Sequence, residues 1–385
     1  MKEKLLFVLP EYKSDSSSHF VHTIELLEEV GKEIDLYVFI EHAEGKPVIK
    51  NAEKVYTSKT NLPILGLLNR ILIFVWYRLR GGKNFYVHYS YFSCIICSLI
   101  SRLTFAKTYY WHCEEYINYG SDRRSNIIGY LKWKIFDDLL LRLSLKLCNH
   151  LVTGSAELIE KYHKTFGVNK SKIKIVPNSI NLERFKIIPK AEARKKLNLP
   201  PALAKEIKPN QKIALFVHWL APRKGADLLP QIIENVTKKL HQQKNQDTVF
   251  LIVGDGPLYK ELKQKKYPCP VIFTGKVPNK EVSNYFMASD LFIMPSRQEG
   301  FPRVLLEAMA SGIPIVTFDA GGIPGILTEE QREFMVEKND IEEFIKKTAH
   351  LLTSDNKRAN LIKQGKSRVN EFGHERVAKQ FLAII

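Results

Sequence analysis

The sequence predicts an α/β protein built from two doubly wound domains, each a parallel sheet covered by helices. Short apolar runs, such as residues 5–9 and 213–217, alternate with amphipathic stretches, as strands joined by crossover helices do. The length of 385 residues exceeds the size at which one hydrophobic core usually keeps growing. A stretch rich in Lys, Ala and Pro, residues 181–212, separates the two alternating halves.

The first half opens with a predicted buried strand at residues 5–9 and a helix at residues 22–30. Its further predicted strands are residues 34–40, 86–88, 108–111 and 150–153. The predicted strands of the second half are residues 213–217, 249–253, 271–274, 291–294 and 315–318. We place the domain boundaries so that residues 1–186 form the first domain, residues 187–368 the second, and residues 369–385 a terminal helix.

Composition and charge narrow the possible partners. The chain carries 58 Lys and Arg against 41 Asp and Glu, a formal charge of +17, spread over both halves rather than gathered in a tail. Because no zinc-finger or ribonucleoprotein motif accompanies this charge, we expect no nucleic-acid partner, whereas an anionic membrane surface remains compatible. The five cysteines, Cys94 and Cys97 among them, are expected to be reduced thiols of a cytoplasmic protein without a metal. The first apolar run is too short for a signal peptide.

Residues 62–79 are dominated by Leu, Ile and aromatic side chains and are open to two interpretations. Pro63, Asn69 and Arg70 interrupt the run, which therefore does not predict a membrane-spanning helix. It is either an ordinary buried helix or a surface helix whose aromatic and basic residues, Phe74 and Trp76 among them, enter the headgroup layer of a membrane.

Residues 294–325 carry the most informative pattern. A predicted strand ends at Met294, and a helix follows that starts near Pro302 and ends at Gly312. A helix N-terminus at the carboxyl end of a strand attracts phosphate. Glu299 and Glu307 flank this position, eight residues and about 12 Å apart along a helix. They suit a sugar and a ribose on either side of a diphosphate. The competing interpretation is a helix with one capping and one solvated Glu, although Glu307 lies in an apolar stretch where an unneeded carboxylate is costly to bury.

The segment from Glu299 to Glu307 resembles the signature of the retaining family 4 glycosyltransferases of GT-B fold. Four further segments also resemble that family and occur along the chain in its usual order: VPNSINLERF at residues 176–185, KG at 224–225, VGDGP at 253–257 and AGG at 320–322. The resemblance implies two Rossmann-like domains facing across a cleft. The first would bind the acceptor and the second the nucleotide-sugar, and the terminal helix would cross back to the first domain.

The resemblance also implies which residues form the site. Glu299 would contact the transferred sugar, Glu307 the ribose hydroxyls and Lys224 the diphosphate. The donor-binding residues implied are Arg223, Lys224, Gly254, Asp255, Gly256, Val277, Glu299, Gly300, Phe301, Pro302 and Glu307. The catalytic residues implied are Glu299, His112 and Lys224, and the acceptor-side residues are Ser18, His19 and His88. Where the family commonly has Gly-Arg-Leu, this chain has His218, Trp219 and Leu220, which leaves Arg223 as the candidate to replace the missing cation.

The function implied is metal-independent transfer of a sugar, with retained anomeric configuration, from a nucleotide diphosphate to a glycan or lipid-linked acceptor of cell-surface polysaccharide synthesis. The sequence has no Asp-x-Asp motif to hold a divalent ion, and the donor is a substrate, so no cofactor is expected. The expected place is the cytoplasm, at the inner face of the cell membrane. Two alternatives are a nucleotide-sugar 2-epimerase, which shares the fold, and a catalytically silent sugar-nucleotide-binding subunit.

Overall fold

The computed structural model describes residues 2–13, 20–58, 63–113, 137–243 and 248–385. The chain divides into two compact units. Unit 1 is Met1–Ser179 with His374–Ile385, and unit 2 is Ile180–Gly373. The domain boundary placed at Ile187 stays a prediction. Within unit 2, Ile180 forms a short parallel bridge with Gly373, and the Ile180 N–H donates to the Phe372 carbonyl at 2.9 Å.

The described residues of unit 1 form a parallel sheet of seven strands in the order β3-β2-β1-β4-β5-β6-β7. The strands are β1 (Lys4–Lys13), β2 (Asp35–Glu44), β3 (Ala52–Thr57), β4 (Asn84–His88), β5 (Lys107–Trp111), β6 (His150–Thr153) and β7 (Ile173–Ile175). The middle of β1 is buried on both faces, which explains its uninterrupted apolar run.

The helices of unit 1 cover both faces of that sheet. They are Val21–Val30, Pro63–Leu79, Tyr91–Thr104, Leu139–Leu147, Glu157–Phe166 and His374–Leu382. In the sheet, β2 and β3 lie on one side of β1, and β4 to β7 lie on the other side. Because the crossover connections are right-handed, Val21–Val30 and Pro63–Leu79 lie on opposite faces of the sheet. His374–Leu382 packs beside Val21–Val30.

In unit 2, the part of the chain that the structure describes forms a parallel sheet of six strands in the order β10-β9-β8-β11-β12-β13. The strands are β8 (Lys212–Val217), β9 (Thr248–Val253), β10 (Val271–Gly275), β11 (Leu291–Met294), β12 (Ile315–Phe318) and β13 (Met335–Val336). The helices are Lys190–Lys195, Pro201–Ala204, Leu229–Gln242, Tyr259–Gln264, Val282–Ala288, Arg303–Ala310, Ile323–Ile326, Glu329–Arg332, Ile341–Thr353 and Asp355–Val369. Strand order reverses between β8 and β11, which makes the carboxyl ends of these strands the expected ligand position.

The helix Pro63–Leu79 combines features of both interpretations offered for it. Phe74 is fully buried against Phe39 and Phe85, so placing it in a headgroup layer was wrong. By contrast, Leu72 is 67% exposed and Leu79 is 82% exposed. Among the described residues, no helix is long and apolar enough to cross a bilayer.

Candidate active site

The candidate site lies at the carboxyl ends of β8 and β11, where the loops that follow the two strands touch. After β8, the turn Pro222–Lys224 ends at Gly225, whose φ of 72° is left-handed. A Cβ at Gly225 would stand 1.8 Å from the Pro295 carbonyl oxygen, so only glycine permits this approach. A Cβ at Gly321, after β12, would stand 1.6 Å from the Glu299 carbonyl oxygen. These close contacts bring the predicted residues Lys224 and Glu299 together.

Lys224 and Glu299 form a buried ion pair, each with 6% of its surface exposed. The Lys224 Nζ lies 2.7 Å from the Glu299 Oε1 and 3.3 Å from the Gln298 carbonyl oxygen. The same Oε1 accepts from the Ser296 hydroxyl at 2.7 Å and lies 3.1 Å from the His218 Nε2. Three donors therefore converge on one carboxylate oxygen and fix its orientation.

The protonation state of Glu299 follows from these contacts. Burial raises the pKa of its carboxyl group, but the Lys224 charge and the His218 hydrogen bond outweigh burial and leave the pKa well below its ordinary value. Glu299 is thus an anion at neutral pH. It is available to accept hydrogen bonds from hydroxyl groups of a ligand.

His218 is neutral at neutral pH and acts as a donor. Burial, followed by the positive charge of Lys224, lowers its pKa from 6.5 to about 4. The Trp219 backbone N–H donates to the His218 Nδ1 at 2.9 Å, so we assign the proton to Nε2. The His218 Nε2–H then donates to Glu299 without adding charge to the site.

Acidification from pH 6.5 to about 4 is expected to remove roughly 2 to 3 kcal/mol of unfolding free energy through His218. Because the folded-state pKa is lowered, the unfolded chain takes the proton first. This stabilisation is complete above pH 6.5 and is lost as the pH falls towards the folded pKa. Urea unfolding across this range should give a shallower pH dependence for His218→Gln than for the parent. His241→Gln, a change at an exposed histidine, serves as the control. If the unfolding free energy of His218→Gln depends on pH as that of the parent does, His218 is not the source of the effect.

Glu307 lies on the helix Arg303–Ala310, which follows the loop that carries Glu299. Its carboxylate is 3.3 Å from the Arg303 guanidinium, and its side chain is 15% exposed. Burial raises its pKa, while the charges of Arg303 and Arg184 lower it in part. The predicted helix is confirmed in position, starting after Pro302 and ending before Gly312. The use of Glu307 for ribose stays a prediction.

The other predicted donor residues surround this pair in loops of unit 2. Gly300 accepts from the Gly322 N–H at 2.8 Å, and buried Phe301 packs on Phe372 with ring centroids 5.5 Å apart. Pro302 is the residue that precedes the helix Arg303–Ala310. Arg223 is half-buried, and its positive charge lies near enough to His218 to lower the pKa of that ring. Trp219, in the position of the missing arginine, is 51% exposed.

The turn after β9 packs on the segment that contains His218. Asp255 is exposed, and its carbonyl oxygen accepts from the Leu220 N–H at 2.8 Å. Gly256 donates to the Asp255 side chain at 2.7 Å, and Gly254 donates to the Gly275 carbonyl at 2.9 Å. Val277 follows β10 and is half-buried. The turn thus supports the loop that supplies His218 and Lys224.

His88 and His112 lie side by side in unit 1, at the ends of β4 and β5. Both rings contact Tyr89, with centroids 5.0 Å and 5.6 Å apart. His112 is almost fully buried, its Nδ1 lies 2.5 Å from the Tyr162 hydroxyl, and burial lowers its pKa to about 3. The His88 ring stacks on Trp111 at 4.3 Å.

Ser18 and His19 lie outside the described residues.

Sequence reasoning missed two contributors to the site, His218 and Ser296. His218 was regarded only as a departure from the family pattern, and Ser296 as part of a connecting loop. The spacing of Ser296, three residues before Glu299, was the available signal. No sequence spacing predicts the contact of His218 with Glu299, because 81 residues separate them.

Comparisons with known proteins agree with this geometry. The family model described as "Glycosyl transferases group 1" matches residues 203–368, which lie within unit 2. The matched residues include Glu299 to Glu307, so this part of the chain is similar to group 1 glycosyltransferases. Membership of the retaining family 4 stays a prediction. The two Rossmann-like domains of the predicted GT-B fold are confirmed, as the solved structures below also indicate.

Two curated bacterial relatives show the range of similarity. The chain is 36% identical over 179 residues to the putative teichuronic acid biosynthesis glycosyltransferase TuaC of Bacillus subtilis, covering 46% of this chain and 40% of TuaC. It is 30% identical over 260 residues to the UDP-Gal:alpha-D-GlcNAc-diphosphoundecaprenol alpha-1,3-galactosyltransferase of Escherichia coli, covering 65% of this chain and 61% of that protein. The matched segments thus span less than two thirds of these relatives.

Two solved structures share the fold at low sequence identity. Anabaena Alr3699/HepE, solved in complex with UDP and glucose, superposes with a TM-score of 0.70 at 16% identity, over 99% of both chains. WaaG, a glycosyltransferase involved in lipopolysaccharide biosynthesis, superposes with a TM-score of 0.69 at 16% identity, also over 99% of both chains.

Proposed function

We propose that this chain is a retaining glycosyltransferase that moves a sugar from a nucleoside diphosphate to a glycan or lipid-linked acceptor. The observation that carries the proposal is the buried Lys224–Glu299 pair at the point where strand order reverses. The family match of residues 203–368 supports the same reaction class.

Each partner of this pair has a distinct use in the proposed reaction. A departing nucleoside diphosphate gains negative charge, and Lys224, fixed by its contacts, stabilises that charge better than a mobile lysine would. Arg223 adds a second cation to the same loop. Glu299, an anion held by three donors, accepts from the hydroxyls of the transferred sugar and places its anomeric carbon.

The proposed transfer requires no enzymic nucleophile. A donor phosphate oxygen takes the proton of the acceptor hydroxyl, and the acceptor oxygen attacks from the face that the diphosphate leaves, so the anomeric configuration is retained. Glu299, Lys224 and His112 are the proposed catalytic residues, and His88 is the proposed acceptor-side residue of unit 1. Because Lys224 and Arg223 supply the positive charge, we propose that the reaction needs no metal, and EDTA should leave the rate unchanged.

The acceptor class and location are proposed from the relatives. The printed names of TuaC and of the Escherichia coli galactosyltransferase refer to teichuronic acid and to a diphosphoundecaprenol acceptor. We therefore propose a role in cell-surface polysaccharide synthesis, in the cytoplasm at the inner face of the membrane. The described thiols of Cys94, Cys97, Cys148 and Cys269 form no disulfide, which agrees with a reducing compartment.

The test is nucleoside diphosphate release by purified protein from a panel of nucleotide-sugars, with and without membrane lipid extract. Uridine nucleotides come first, because UDP occurs in the names of the galactosyltransferase and of the HepE complex. Release that depends on acceptor supports a transferase. An epimerised donor would indicate an isomerase instead, and nucleotide binding without turnover a silent subunit.

Glu307→Gln is expected to weaken binding of the nucleotide about tenfold to hundredfold, because a hydrogen bond to a charged group contributes about 1.5 to 3 kcal/mol. Isothermal titration with the nucleoside diphosphate measures the effect. Glu234→Gln, an exposed carboxylate of the same unit, is the control. Parent-like affinity in Glu307→Gln would remove ribose binding from this residue.

A further inference from the structure

Neighbouring helices of unit 1 expose rows of apolar side chains. On Pro63–Leu79, Leu65, Leu68, Leu72 and Leu79 recur every three to seven residues along one side and are 52%, 51%, 67% and 82% exposed. Tyr91–Thr104 exposes Leu103 at 82%, and Phe105, which follows it, is 96% exposed. Single exposed apolar residues are ordinary, but rows of large ones are not.

These rows belong to one layer. Pro63–Leu79 packs against Tyr91–Thr104, which packs in turn against Leu139–Leu147. Leu139, on the last of these helices, is also 57% exposed. We call the outward surface of these three helices, together with Phe105, the three-helix face. The three helices are adjacent members of one layer on the same side of the sheet, so their outward surfaces adjoin.

The first two helices of this face and the residues that join them carry charge of one sign. Residues 63–107 contain six Lys and Arg residues and no Asp or Glu. Arg70 and Arg78 turn towards the protein, where they contact Glu41 and the Thr104 carbonyl. The exposed basic residues lie in the last turn of these two helices or shortly after their C-terminal ends. They are Arg80, Lys83, Arg102 and Lys107. The three-helix face therefore combines apolar rows with a basic margin.

Trp76 lies on the apolar helix Pro63–Leu79, next to Arg80 of the basic margin. It is half-buried, with the Arg80 guanidinium 5.0 Å and the Lys54 ammonium 5.5 Å from its ring. An indole beside cations is typical of side chains that lie at the boundary between water and lipid.

We propose that the three-helix face binds the surface of a bilayer that contains anionic phospholipids. Apolar rows enter the boundary between headgroups and acyl chains, while the basic margin pairs with lipid phosphates. A second copy of this chain fits less well, because two such faces would bring margins of like charge together. The inference deepens the membrane location proposed above and rests on it for its biological purpose, although its evidence is separate from the donor site.

The experiment is flotation of purified protein with two kinds of vesicle, pure phosphatidylcholine and one part phosphatidylglycerol to two parts phosphatidylcholine. We expect binding to the anionic vesicles that weakens as salt is added. The combined variant Lys83→Gln, Arg102→Gln and Lys107→Gln should weaken it about a hundredfold, at about 1 kcal/mol per basic residue. The combined variant Leu68→Gln, Leu72→Gln and Leu103→Gln should weaken it at least about tenfold.

Matched controls change the same side-chain types elsewhere. Lys205→Gln, Lys238→Gln and Lys239→Gln remove three exposed charges from unit 2 and should leave flotation unchanged. Val48→Gln, Ile175→Gln and Ile187→Gln replace three other exposed apolar residues and should also leave it unchanged. Melting temperature and nucleotide binding of every variant show whether the fold and donor site survive, so failure of the membrane inference is separable from failure of the proposed reaction.

Three results would overturn the inference. Equal flotation with both kinds of vesicle excludes recognition of anionic lipid. Equal flotation of the parent and both face variants places binding elsewhere. A dimer that dissociates only in the leucine variant, with no flotation of the parent, identifies a second copy as the occupant.

Discussion

Lys224→Met is expected to lower kcat/KM by roughly a hundredfold to a thousandfold, the effect of removing one fixed donor from developing negative charge. It should also cost about 3 to 5 kcal/mol of unfolding free energy, because Glu299 is left as a buried charge without its cation. Burial would then raise the pKa of Glu299, so the variant should recover stability as the pH falls. Donor turnover and urea unfolding at several pH values measure the two effects.

A double variant separates catalysis from stability. Lys224→Met with Glu299→Gln removes both charges, so most of the lost stability should return while activity stays low. Lys238→Met, which changes an exposed lysine of the same unit, should match the parent in both measurements. If Lys224→Met turns over donor at the parental rate, Lys224 does not bind the diphosphate.

Gly225→Ala is expected to disrupt the site by displacing the backbone, without removing any side chain of the site. The left-handed φ of 72° costs an alanine about 1 to 2 kcal/mol, and its Cβ would overlap the Pro295 carbonyl oxygen at 1.8 Å. The loops that carry Lys224 and Glu299 must separate to relieve this overlap. A displacement near 1 Å at a reacting centre costs roughly a hundredfold in rate, and we expect a loss of that size in kcat/KM.

Gly167→Ala is the matched control for this substitution. Its φ of 68° is nearly the same, but nothing lies within 4 Å of the added Cβ. It should therefore lose only the conformational cost of about 1 to 2 kcal/mol and keep its activity. Equal rates in the two alanine variants would mean that the approach of Gly225 to Pro295 is not needed for the site.

Much of the fold was predictable because its central strands are buried on both faces. Such strands are apolar throughout, as residues 5–9 and 249–253 are, and stand out from the amphipathic helices between them. The strands not predicted lie at or near the sheet edges: β3, β7 and β13. Polar residues interrupt the apolar pattern of β3 and β7, and β13 has only two residues, too few to show a pattern.

The candidate site was predictable where its residues are close in sequence. Glu299 and Glu307 flank a strand-to-helix connection, and local rules are enough to place them near a helix N-terminus. The convergence of His218, Lys224 and Ser296 on one oxygen of Glu299 was not predictable, because it depends on β8 and β11 being neighbours in the sheet.

The sequence also did not predict which residues of the helix Pro63–Leu79 are exposed. The sequence showed an apolar helix but could not tell its buried side from its exposed side, since both carry leucine and aromatic residues. Only packing on the sheet buries Phe74 and leaves Leu72 outside.

What the sequence determined by itself is local: the order of strands and helices, the two-domain architecture and the carboxylates beside a helix start. The tertiary structure decided which distant residues touch, namely the partners of Glu299, and which side of each helix meets solvent. The physical reason is that periodicity and turn chemistry act over a few residues, whereas protonation states and exposed surfaces depend on neighbours that strand order brings together.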